Sequence, residues 1–351
     1  MKYGILTYHN IPNVGAILQA QALCDFIRRS GFDCEIIDYS CDNIVDRELT
    51  FHPSPNLLKN LLIKYYWKKT KKKIAKCKEY VNSLHQLSSE SYNRNSIVKS
   101  NDVYDAFISG SDMIWNLDIN GEDYAFFLDF TSQDKKRLSF ASSIGRTWTV
   151  NEREKVLPLL KRYHSVSVRE EDTNIVLNEM GISSSHLADP TLLLDADEWG
   201  KYAQSIDLKN YVLIYFPNRE LIKKAKEYAK NHSLKLVVIS QGVPTLGVTK
   251  VWPNNPPEWL GLFLNANAVF TNSFHGLLFS FYFKKQVWTA NYGNRIISIL
   301  ESLNQTNCRL DIDTDLHYKI DYEVCCRRLS ELRKKSQDYI ITTLTQIECK
   351  E

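Results

Sequence analysis

At 351 residues the chain is long enough for two domains of ordinary size, each able to bury a core. Hydrophobic residues at 44% and charged residues at 24% are ordinary globular values and exclude a disordered or fibrous chain. A net charge of only +3 argues against a nucleic-acid coat protein, and none of the 8 cysteines shows the C-x-x-C spacing of a zinc ribbon or thioredoxin-like site, so reduced thiols and no metal are expected.

In chain order, residues 3–7 are a short apolar run, residues 9–15 are rich in turn formers, residues 16–29 repeat apolar side chains at helical spacing, and residues 34–39 are apolar again. Strand, loop, helix, strand is the grammar of a βαβ unit, whose right-handed crossover puts the first loop at the carboxyl end of a parallel sheet. The first residues thus run into a strand instead of a signal-peptide core, and no apolar stretch has the length to cross a bilayer, so a cytoplasmic protein is expected. Residues 42–100 interrupt the pattern. Within them, residues 57–78 are helical by period and carry nine lysines. Leu57, Leu58, Leu61, Leu62, Tyr65 and Tyr66 recur at helical spacing, with Trp67 at the edge of the stripe. Such a helix either packs its apolar stripe on the first domain or makes a peripheral contact with the inner face of the membrane.

The strand grammar returns at residues 106–110, 138–141 and 165–168, each followed by polar residues, and residues 1–190 read as one α/β domain. It starts afresh with strands expected at 212–216, 236–239, 268–270 and 287–289 and helices at 221–230, 258–265, after His275 and from Asn294. Residues 191–351 read as a second doubly wound domain. Two Rossmann-like domains of this kind are expected to face a cleft between carboxyl-end loops, where open α/β sheets bind ligands.

The loop TNSFHG (271–276) lies where a strand ends and a helix begins. Free backbone N–H groups there, with the positive end of the helix dipole, favour a phosphate or carboxylate, and a histidine so placed can donate a proton. A plainer reading has Ser273 or Asn272 as the helix cap and His275 as an ordinary first-turn residue.

Five stretches occur in order: HNIPNVGAILQAQAL (9–23), ISGSDMIWN (108–116), VREED (168–172), ADPT (188–191) and TNSFHG (271–276). Together they resemble the polysaccharide pyruvyl transferases over residues 1–303. The resemblance implies a fold similar to GT-B glycosyltransferases. It implies phosphoenolpyruvate as donor and, as acceptor, a hexose of a surface polysaccharide repeat unit on a polyprenyl-diphosphate-linked oligosaccharide. The implied products are a cyclic pyruvate ketal and phosphate, with no cofactor and no nucleic-acid partner. By the motif match, His275 is the implied general acid and donor contact, with Asn272, Ser273 and Gly276 beside it on the donor side. Arg169 is the implied donor-binding arginine, against a surface salt bridge with Glu170, Glu171 or Asp172. Some members carry arginine two residues before the histidine, where this chain has Ser273, which leaves Arg295 or Arg146 to supply the second positive contact. Gly110 and Ser111 follow a strand where glycine allows close approach to a ligand, and Asp112 is either a base for an acceptor hydroxyl or a turn cap. Asn13 and Gly15 line the acceptor side or form a plain turn, His9 is a weaker catalytic candidate, and Asp189 is expected to fix the interdomain turn. A nucleotide-sugar glycosyltransferase of the same fold class and a non-catalytic sugar-binding relative are the alternatives.

Overall fold

In the computed structural model, which describes residues 1–239, 247–310 and 314–349, the opening apolar run forms strand β1 (Lys2–Leu6) and leads through a short loop into helix α1 (Val14–Arg29) and strand β2 (Asp33–Ser40). After a turn of helix, α2 (Asp42–Ile44), come the basic helix α3 (Leu57–Ser83), β3 (Leu87–Asn93) and β4 (Ala106–Ser109). Then follow α4 (Leu117–Asn120), β5 (Lys136–Ser139), α5 (Val150–Leu160), β6 (Ser167–Val168), α6 (Glu171–Glu179) and β7 (Ser185–His186). The sheet order is β3-β2-β1-β4-β5, and every pair is parallel. Isolated parallel bridges, Leu138 with Ser165 and Ser142 with Val168, carry the pairing from β5 towards β6, which itself pairs with β7.

Strands covered by helices on both faces must be apolar on both. Tyr3, Ile5 and Ile36 join Ala20, Leu23 and Ile27 of α1 in one cluster. Leu6, Ile37 and Tyr39 turn the other way, to Phe107, Trp115 and Phe126.

The pattern repeats with α7 (Ala196–Tyr202), β8 (Tyr211–Tyr215), α8 (Arg219–Asn231), β9 (Lys235–Ile239), β10 (Thr249–Val251), α9 (Pro256–Leu264), β11 (Ala268–Thr271), α10 (Phe274–Tyr282), β12 (Gln286–Trp288), α11 (Asn294–Ser302) and α12 (Tyr322–Glu348). Its sheet, β10-β9-β8-β11-β12, is again all parallel and has the same order as the first. In each sheet the strand order reverses once, between β1 and β4 and between β8 and β11.

Two expectations differ from this structure. Residues 42–100 are only partly an interruption, because β3 is the edge strand of the first sheet. Of its seven residues only Tyr92 is buried, so it lacks an apolar alternation to announce it. The division into two domains at 190 and 191 also differs. One compact unit is Met1–Leu194 together with the chain from Leu332 onward, and the other is Asp195–Glu331. The reason is packing: Ile340, Leu344 and Ile347 sit in the cluster of β1 and α1, and the Arg333 Nε–H donates to the Leu192 carbonyl at 2.8 Å. A continuous amphipathic helix carries no sequence mark for the point where its packing partner changes.

Leu344 is fully buried in that cluster. Leu344→Ala should therefore destabilise the first unit by about 2–5 kcal/mol, the usual cost of such a truncation in a packed core. Urea unfolding checks this, and an unchanged midpoint would detach the C-terminal helix from that core.

Candidate active site

In the second unit, the loop after β11 is built by its own polar groups. The Asn272 amide extends the β8 ladder by donating to the Tyr215 carbonyl at 3.2 Å, and its side chain donates to the Phe216 carbonyl at 3.1 Å. Asn272 Oδ1 accepts from the Ala290 N–H at 2.9 Å, so this one side chain ties together the ends of β8 and β12. Ser273 caps α10, accepting from the Gly276 N–H at 3.2 Å. A Cβ at Gly276 would lie 2.6 Å from Thr271 Oγ1 and 3.0 Å from the Tyr215 ring, so only glycine lets the helix start this close to the sheet.

The loop and the start of α11 carry two ionisable side chains. His275, half-buried in the first turn of α10, meets the Phe274 ring edge-on with centroids 5.4 Å apart. The Arg295 guanidinium lies 5.9 Å from the centroid of the same ring. Phe274 thus gathers His275 and Arg295, while Asn272, Ser273 and Gly276 shape the backbone. Nothing in the sequence singled out Phe216 as a site residue; it follows β8 at a left-handed φ of 54° and is 59% exposed beside Asn272.

In the first unit, Gly110 has φ 130°, and a Cβ there would meet the Phe140 carbonyl at 2.5 Å. Ser111 is fully tethered: its N–H donates to Gln19 Oε1 at 3.1 Å, its hydroxyl to the Ala141 carbonyl, and its carbonyl accepts from Thr7 Oγ1 at 2.9 Å. Asp112 follows with a left-handed φ of 69° and accepts from the Met113 N–H at 2.8 Å.

Beside it stands Arg169, whose side chain is only 2% exposed, so a surface salt bridge is ruled out. Its Nη1 pairs with Asp189 Oδ2 at 2.8 Å, its Nε with Glu170 Oε1 at 3.1 Å, and its Nη2 lies 3.8 Å from Asp112 Oδ1. Burial works against the charge on this guanidinium, but Glu170, Asp189 and Asp112 outweigh it and hold the pKa above its ordinary value. Ser143 Oγ donates to Glu170 Oε1 at 2.7 Å. Asp189 also caps the turn Pro190–Leu193, accepting from the Thr191 N–H at 2.9 Å. The segments after β4, β5, β6 and β7 therefore meet at one buried cation with three carboxylates. Arg169, expected as a donor contact, has the protein's own acids as partners. Only its neighbourhood of acids was legible, since the return of Asp189 depends on the pairing of β6 with β7.

His9, the weaker catalytic candidate, and Asn13, expected on the acceptor side or in a plain turn, are engaged within the protein. His9 is buried, with Nδ1 3.0 Å from the Thr7 carbonyl and Nε2 3.0 Å from Asp38 Oδ1, which uses both ring nitrogens. Asn13 caps α1, accepting from the N–H groups of Gly15 and Ala16, and Gly15 is buried in the first turn. Arg146 is committed too, its Nη groups binding both oxygens of Glu152 and its Nε binding Asp118 Oδ2 at 2.7 Å. Among the described residues no group of three or more His, Cys, Asp or Glu could hold a metal ion.

Two outcomes follow from these contacts. Arg169→Ala leaves three buried carboxylates facing one another and should cost about 3–5 kcal/mol at neutral pH, read by denaturant unfolding. The hydrogen bond from His9 holds the Asp38 carboxyl below its usual range. A lowered folded-state pKa stabilises above the unfolded value, about 3.9, and that stability is lost as pH falls through the folded value. Asp38→Asn should accordingly lose stability at neutral pH and show a flatter decline below about pH 4; parallel wild-type and variant curves would remove this role.

Comparison with known proteins adds two findings. The fold is shared with the UDP-GlcNAc 2-epimerase of Neisseria meningitidis bound to UDP-GlcNAc, at 10% identity and a TM-score of 0.57 over 99% of this chain and 100% of that one. It is likewise shared with the UDP-GlcNAc 2-epimerase of Methanocaldococcus jannaschii, at 11% identity and a TM-score of 0.53 over 99% and 100% of the two chains. At such identities the likeness shows the fold alone, an α/β architecture of two Rossmann-like units of the GT-B kind. Against curated proteins the chain finds no match. The family model described as polysaccharide pyruvyl transferase matches residues 13–294, which takes in the loops after β4, β8 and β11 and the Arg169 cluster. By that match the chain belongs to the polysaccharide pyruvyl transferase family.

Proposed function

We propose that the protein transfers the enolpyruvyl group of phosphoenolpyruvate to a hexose of a surface polysaccharide repeat unit, carried on polyprenyl diphosphate, and closes it to a cyclic ketal with release of phosphate. What supports this most is His275, held in the first turn of α10 at the second sheet's order reversal in a chain of this family. The amino end of a helix favours the donor's phosphate or carboxylate, and Arg295 adds a full positive charge next to the Phe274 ring that His275 meets.

In this reading His275 gives a proton to C3 of the enol, and C2 becomes oxocarbenium-like. One sugar hydroxyl attacks C2, phosphate departs, and a second hydroxyl closes the ring. Of the two hydroxyl protons released, one replaces the proton given to C3 and the other leaves with phosphate, so donor and diol yield ketal and phosphate alone. In this reading Asp112, 3.8 Å from the Arg169 guanidinium, is the base for a hydroxyl.

His275→Ala should lower phosphate release by at least about a hundredfold while melting like the wild type, the usual worth of a general acid. Near-normal turnover in the folded variant would take the role away from His275. Because the fold is shared with enzymes of UDP-GlcNAc, melting in the presence of each ligand separates the donor classes. Phosphoenolpyruvate should raise the midpoint, and a rise with UDP-GlcNAc alone would favour a nucleotide-sugar donor.

A further inference from the structure

Helix α3 carries a charge that the rest of the chain does not share. Its 27 residues hold nine lysines and a single acid, Glu79, for a net +8. The whole chain is only +3, so the remaining residues together stand at −5. Charge segregated in this way onto one exposed helix, in an otherwise acidic protein, selects an anionic partner.

The helix is fixed by one face. Cys77 and Val81 are buried against Ile17 of α1, Tyr80 donates to Gln21 Oε1 at 2.7 Å, and Trp67 packs on Phe51 with ring centroids 5.8 Å apart. The opposite face points outward. Leu61 is 65% exposed and Tyr65 57% exposed, and they continue into exposed Lys68 and Lys72 at i, i+4, i+7 and i+11, a single line along the helix. Lys64 is exposed beside them, and the Lys69 ammonium lies 5.1 Å from the Tyr65 ring centroid. Of the expected apolar stripe, Tyr66 and Trp67 are half-buried, and the side chains of Leu57, Leu58 and Leu62 lie outside the described residues.

We propose that this face docks the protein onto an anionic lipid surface, with Leu61 and Tyr65 in the interfacial layer and Lys64, Lys68, Lys69 and Lys72 among the head-group phosphates. Lysine stems cover apolar surface while their ammonium groups reach the polar layer, and an aromatic next to a leucine suits the boundary between head groups and acyl chains. A nucleic-acid backbone would use the lysines but offers an exposed leucine nothing. Each basic residue near an anionic leaflet multiplies the partition by about fivefold, so four acting together give firm but salt-sensitive binding. Among the described residues no helix is long and apolar enough to cross a membrane, so the contact is peripheral.

The experiment is co-sedimentation of the full chain with vesicles of phosphatidylcholine alone and of phosphatidylcholine with phosphatidylglycerol, at low and high salt. Wild type should pellet with the anionic vesicles at low salt, and high salt or the double variant Lys68→Glu/Lys72→Glu should weaken binding at least about tenfold. Leu61→Ser/Tyr65→Ser should remove whatever binding persists at high salt. All four side chains are exposed, so circular dichroism and melting should match the wild type. The proposal is overturned if wild type stays in the supernatant with anionic vesicles at low salt, if it binds neutral vesicles equally, or if the folded charge variant binds undiminished. Release from the vesicles by DNA at equal phosphate concentration overturns it in favour of nucleic acid. No donor or acceptor enters this assay, so its failure leaves the proposed reaction untouched and the reverse also holds.

Discussion

Parallel strands cannot be joined by a tight turn, and this constraint organises the molecule. Every connection between paired strands must return across a face of the sheet, so all the loops that follow strands collect at one edge. Where the strand order reverses, neighbouring crossovers leave on opposite faces and their loops part. In the first sheet this happens between β1 and β4, and the loops there hold His9 and Asp112. In the second it happens between β8 and β11, where Asn272, Ser273 and His275 lie. His9, Asp112, Asn272, Ser273 and His275 therefore all lie beside an order reversal.

The two edges are built with opposite electrostatics. Around Arg169 the first unit buries three carboxylates on one guanidinium, an arrangement that is costly to dismantle. Around Phe274 the second unit gathers an imidazole and a guanidinium at the amino end of a helix.

Much of this was legible without coordinates because the period of the apolar residues changes from strand to helix in short, clean blocks. Ala268–Thr271 and Val14–Arg29 are examples, and the motif stretches fall on the loops after such strands. What escaped has a physical reason in each instance. β3 is an edge strand with a mostly exposed pattern, and β7 has two residues, too short for any period. The partners of Arg169 come from 20 and 57 residues away, Asp189 and Asp112, and only the tertiary pairing brings them together. Polar residues at strand-to-helix loops serve either ligands or the loop itself; Asn13 bonds the first N–H groups of its own helix, and Asn272 bonds the chain at the ends of β8 and β12.

The most direct measurement is the mass of an acceptor after incubation with the purified protein and phosphoenolpyruvate. A lipid-linked oligosaccharide bearing the right hexose should gain one pyruvate less one water, in a form resistant to borohydride, with one phosphate released per transfer. An acceptor left unchanged while the protein transfers sugar from a nucleotide donor to the same oligosaccharide would contradict the proposed reaction.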